Sequence, residues 1–65
     1  MALQLSFVIE NDQPDTWRWK LRDNEARIYA SSFCFFTSKE LCIEGINQFR
    51  LLAPHAAIID LTKHD

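Results

Sequence analysis

The chain has 65 residues, 48% apolar and 25% charged, with a formal net charge of −2 and a pI near 5.5. That length allows one domain, 1–65, which buries only about 60% of the surface exposed by its unfolded chain. The weakly acidic balance argues against a general nucleic-acid or anionic-membrane binder, and the low glycine and proline content argues against disorder.

Residues 5–10 are apolar and β-prone and read as a first strand. Residues 11–15 cluster turn formers. The next run, 17–22, alternates strictly, with Trp17, Trp19 and Leu21 pointing one way and Arg18, Lys20 and Arg22 the other. A period of two marks a strand with one buried and one solvated face. Residues 23–26 make a second turn, where Asn24 tolerates a left-handed conformation. The third strand, 27–33, sets Ile28, Ala30 and Ser32 against Arg27, Tyr29, Ser31 and Phe33. In a regular hairpin Tyr29 shares a face with the basic residues of strand two, although the register stays open.

Residues 34–36 lead into a helix. Thr37 and Glu40 fit a capping box, with Ser38 as the rival N-cap. Leu41, Cys42, Ile46, Phe49 and Ala53 form a stripe with helical spacing that packs on the sheet. Lys39, Glu40, Glu44, Gln48 and Arg50 lie on the wet side. Gly45 costs about 1 kcal/mol in mid-helix relative to Ala, which a close approach of helix to sheet would explain. Pro54 ends the helix. Residues 56–62 form a fourth apolar, β-branched run, read as a strand, and the tail 63–65 is expected to fray.

No catalytic constellation emerges. His55 and His64 are the only histidines, and Cys34 and Cys42 lack metal-site spacing, so no metal or other cofactor is expected. Nothing places a histidine beside Ser31, Ser32 or Cys34 for nucleophilic work. Asp12, Asp15, Asp23 and Glu25 crowd the two turns, where carboxylates are ordinarily solvated. The single glycine rules out a glycine-rich phosphate loop. An enzyme is therefore the weakest expectation. The basic stripe is the sharper one: Arg18, Lys20, Arg22 and Arg27 with Tyr29 could hold phosphates and stack bases of a nucleic acid or other polyanion. The bland alternative is a solvated face that discourages edge aggregation.

Apolar groups are in surplus. One helix on a small sheet cannot cover Phe33, Phe35, Phe36, Ile43, Leu51 and Leu52, which points to self-association or a protein partner. Three strands also leave open edges, and the 56–61 run needs burial. No apolar run approaches the ~20 residues of a membrane helix, and 1–5 lacks the features of a secretion signal. A cytoplasmic location with two reduced thiols is the expectation.

Several residues together resemble the YegP-like family of small, mostly bacterial proteins of unknown function. They are Phe7, the aromatic-basic stretch 17–21, Asn24, the Ala30, Ser31, Ser32 run, and Thr37 with Ser38 opening the helix. Gly45 with Ile46, Ala53 with Pro54, Ala57 and Asp60 complete the set. The resemblance spans about 5–62. It departs at the second turn, where Asn24 is followed by Glu25 rather than Gly, and at the unusually apolar stretch 33–36. It implies an α+β fold built as a β3-α-β unit, with one helix packed on an antiparallel sheet. It also implies a homodimer that exchanges C-terminal strands through Ala57, Ile58, Ile59 and Leu61. The other arrangement is a last strand that folds back on its own chain. The resulting expectation is a non-enzymatic homodimeric module with a structural or protein-interaction role.

Overall fold

The computed structural model describes residues 3–62. Residues 63–65, expected to fray, lie outside that range, and His64 with them. Strands β1 (Leu5–Gln13), β2 (Thr16–Asp23) and β3 (Ile28–Ser31) form one antiparallel sheet in chain order, and helix α1 (Lys39–Leu52) packs on it. The fold is α+β, as the pattern predicts.

The β1–β2 register pairs Phe7 with Leu21 and Ile9 with Trp19 on the helix side. Val8 with Lys20 and Glu10 with Arg18 pair on the other side. The strict alternation of β2 therefore sorts core from solvent as expected. β1 runs three residues beyond the expected 5–10. A register shift between Asn11 and Gln13 absorbs Asp12, and the Asn11 amide donates to the carbonyls of Gln13 and Thr16. Only Pro14 and Asp15 are left as the loop, closed by a 2.9 Å bond from the Gln13 N–H to the Thr16 hydroxyl.

The second turn takes its left-handed residue at Ala26, φ 65°, and not at Asn24. The Ala26 amide donates to the Asp23 carbonyl at 3.1 Å, and the Asp23 amide to the Arg27 carbonyl at 3.0 Å. This is a three-residue hairpin loop, a type I turn followed by a left-handed residue, in which position 26 carries the positive φ. Leu21 pairs with Ala30, but Arg22 pairs with Ile28, so Tyr29 is an extra residue in β3. The bulge ends the alternation expected of Ile28 and Ala30.

β3 is shorter than the expected 27–33, yet its pairing resumes further along. The Ser32 amide reaches the Trp19 carbonyl at 2.9 Å, and Phe36 exchanges bonds of 2.7 and 2.8 Å with Trp17. Residues 33–35 therefore loop out opposite the single residue Arg18. Phe33 stands on this excursion, not on a strand face.

Ser38, not Thr37, caps α1. Its backbone is extended (φ −145°) and its hydroxyl accepts from the Leu41 amide at 3.1 Å. With Lys39 first in the helix, Glu40 sits second, too early to close a box with Thr37. Cys42 and Ile46 are buried and Phe49 packs against them, while Leu41 and Ala53, the ends of the expected stripe, stay exposed. Three narrow strands cover only the centre of that stripe. Phe7, Trp19 and Phe49 form an aromatic cluster with centroids 5.1–5.9 Å apart in tilted and edge-on geometry. At Gly45, a Cβ would lie 2.7 Å from the Phe36 ring, so the absent side chain makes room for that ring against the helix.

After the 3₁₀ turn Ala53–His55, residues 56–62 form no strand and every one is exposed. The expected fourth strand is not made within this single chain. The radius of gyration, 14.6 Å, exceeds the ~11 Å of a compact chain of this length, as an outlying segment requires.

Candidate interaction surfaces

The face of the sheet opposite the helix carries the basic residues, and Arg18 and Lys20 are met there by acid. Arg18 lies 3.1 Å from Glu10 and 2.9 Å from Asp12, and Lys20 lies 3.4 Å from Glu10. These are cross-strand contacts set by the β1–β2 register. Burial pushes the Glu10 carboxyl up, but hydrogen bonds and charge from Lys20 and then Arg18 hold it below its usual range. The Arg18 guanidinium also lies 5.8 Å above the Phe35 ring, a cation–π contact. Arg22 shares the strand but has no ion pair among the described residues.

Arg27 and Tyr29 are drawn to the turn. The Asp23 carboxylate, buried, accepts from the amides of Glu25 (2.8 Å) and Arg27 (2.9 Å) and from the Tyr29 hydroxyl (3.0 Å). Arg27 lies 3.7 Å from it and 3.3 Å from Glu25. The Arg27 amide bond holds the Asp23 carboxyl below its ordinary value, burial opposing, with Glu25, Tyr29 and the Arg27 charge adding to the effect. Donation to Asp23, and burial after it, push the Tyr29 hydroxyl up. Asp23 therefore differs from the solvated turn carboxylate expected at that position. The signal for its role was an Asp at the first position of a turn, where its side chain caps the following amides.

The thiols and the Ser32 hydroxyl lie apart in the fold. Cys42 is fully buried and burial pushes its thiol up; Cys34 is exposed on the 33–35 excursion. The Ser32 hydroxyl accepts from the Trp19 amide at 3.2 Å, closing the sheet where β3 ends. His55 lies exposed in the 3₁₀ turn. Among the described residues no cluster of metal-ligating side chains occurs, and no helix is long and apolar enough to cross a membrane.

The apolar surface lies on the opposite side. Ile58, Ile59 and Leu61 are 97%, 77% and 87% exposed, and Ala57 is exposed beside them. The segment leaves the body next to an apolar groove of about 500 Å³ that runs between α1 and the 33–35 excursion. Trp19 and Phe36 line it from the sheet, and Phe49 and Leu52 from the helix. Sequence reasoning identified the segment but not the groove. No family profile, curated protein or solved structure matches this chain.

Proposed function

We propose that this chain is a small non-enzymatic module that works as a homodimer, with residues 56–62 of each copy exchanged onto the other. One observation carries the reading: an apolar, β-branched run in which Ile58, Ile59 and Leu61 stand 97%, 77% and 87% exposed. Burying one such side chain contributes about 1.5–3 kcal/mol, and a core of three buried apolar residues, Trp19, Cys42 and Ile46, has need of it. Exchange of a terminal segment is a low-cost route to a two-fold dimer. The same arrangement is what the YegP-like kinship proposed from the sequence implies. Two free thiols suit a reducing compartment, the cytoplasm.

The polyanion reading has less support. Arg18, Lys20, Arg22 and Arg27 are four cations, and Glu10, Asp12, Asp23 and Glu25 are four carboxylates set among them. The local sum is neutral, so the face offers no strong field to a phosphate backbone. A catalytic role has less support still: among the described residues the Ser32 hydroxyl is bonded to the Trp19 amide, and Ser31 and Cys34 are exposed.

Sedimentation equilibrium tests the dimer directly. The intact protein is expected at the mass of two copies, and an Ile58→Asp, Ile59→Asp variant at the mass of one, with its circular dichroism retained. A single-copy mass for the intact protein across the micromolar range would overturn the proposal. Titration with single-stranded RNA at low salt covers the other reading, and no binding is expected.

A further inference from the structure

The fold itself does not fill the groove between α1 and the 33–35 excursion. Trp19, Phe36 and Phe49 form its floor, and Leu52 and Ala56 its helix-side wall. Phe33 forms the outer wall, fully exposed. Such a ring has nothing to pack on within its own chain, although the sheet is locally rebuilt to hold it there, three residues looping out opposite one.

We infer that this groove is the seat for Ile58, Ile59 and Leu61 of a second copy, with Phe33 closing over them. The inference rests on the homodimer reading and specifies where the exchanged segment lies. Three observations select that occupant. The lining is mostly aromatic and aliphatic, with Ser32 and Gln48 as its polar members and no charged residue, which favours aliphatic side chains over a charged ligand. The segment begins at the groove's own rim, because Ala56 is both a wall residue and the first residue of the tail. A two-fold axis near that rim therefore brings both grooves and both tails together, each serving as donor and acceptor. Finally, the tail can reach well beyond that rim. Six steps from Ala56 to Thr62 span about 20 Å at the rise of an extended chain.

Local geometry opposes the same chain's tail as occupant. After the 3₁₀ turn the tail does not enter its own groove, and Ile58, Ile59 and Leu61 stay exposed. Ala56 is extended there (φ −71°, ψ 134°), and Ala57, Ile58 and Ile59 include none of the turn-forming residue types.

An isotope-filtered NOE experiment on an equimolar mixture of ¹³C-labelled and unlabelled protein, co-refolded, tests this. Intermolecular contacts from the Ile58, Ile59 and Leu61 methyls to the Phe33 and Phe36 rings are expected. Intermolecular contacts from the tail to Val8 or Leu5 at the β1 edge would overturn the groove assignment and leave the dimer standing. Tail-to-groove contacts within one copy only, in a protein of single-copy mass, would overturn the assignment and the dimer reading together. A second measurement is the dissociation constant of Phe33→Ala, a substitution at a position that contributes nothing to the core. It should rise by about tenfold or more, while Phe35→Ala, on the Arg18 side of the excursion, stays within about twofold. An unchanged constant for Phe33→Ala would remove Phe33 from the seat.

Discussion

At the scale of single residues, Asp23 gives the clearest link between charge and stability. Its carboxylate holds the β2–β3 turn through two amides and the Tyr29 hydroxyl. Its folded-state titration lies below the ordinary aspartate value of 3.8. A depressed acid contributes stability fully above its unfolded value, and that contribution is lost as pH falls through the folded value. The protein should therefore weaken as pH drops below about 4, and Asp23→Asn should flatten that decline. Glu10 keeps part of the slope, since it is depressed in the same direction. Urea midpoints at pH 7 and pH 3 measure both effects; an equal acid loss in Asp23→Asn would deny Asp23 the role. Gly45 offers a second test. Alanine gains about 1 kcal/mol in helix propensity, yet its Cβ would come within 2.7 Å of the Phe36 ring. Overpacking of this kind costs about 1–3 kcal/mol. Gly45→Ala is expected to destabilise the protein on its own and to stabilise it by about 1 kcal/mol in a Phe36→Ala background. A double-mutant cycle by chemical denaturation reads the difference, and additivity would show that the ring does not set the glycine.

At the scale of elements, the helix start separates two readings that the sequence leaves side by side. Ser38 supplies the oxygen for the Leu41 amide, so Ser38→Ala should cost about 1 kcal/mol. Thr37→Ala should cost far less, although Thr37 begins the better-looking capping motif. Equal losses in thermal unfolding would contradict the assignment. The same element shows what a pattern can and cannot carry. The alternation in β2 and the Cys42, Ile46, Phe49 stripe follow from side-chain periods, and they were legible because burial imposes those periods. The irregularities at Asp12, at Tyr29 and at 33–35 come from hydrogen bonds between particular side chains and backbone groups, and from where β2 accepts a partner. No period encodes them. They decide the site nonetheless. The bulge accompanies a Tyr29 tied to Asp23 and not grouped with Arg18 and Lys20, and the excursion raises Phe33. The tail announced itself as apolar sequence in need of cover. The groove beside it depends on Gly45 admitting the Phe36 ring, a contact between residues nine apart that composition does not reveal.

At the scale of the whole molecule, the balance of burial against association requires the proposed exchange to be reciprocal. One tail offers Ile58, Ile59 and Leu61, worth about 4.5–9 kcal/mol if fully buried. Bringing two molecules together costs about 4–15 kcal/mol in lost freedom. A single docked tail does not reliably exceed that cost. Two tails double the gain to about 9–18 kcal/mol for one association event, which a two-fold arrangement supplies without any new surface. In the proposed dimer folding and pairing are linked, which makes the melting temperature depend on protein concentration. Over a hundredfold range of concentration the intact protein should melt several degrees higher at the concentrated end. Ile59→Asp should melt at one temperature throughout, close to the dilute limit of the intact protein. Scanning calorimetry at a series of concentrations measures both. A melting temperature independent of concentration in the intact protein would mean that the three strands and the helix, with their small core, are stable alone. The exposed tail would then have no part in holding the fold together.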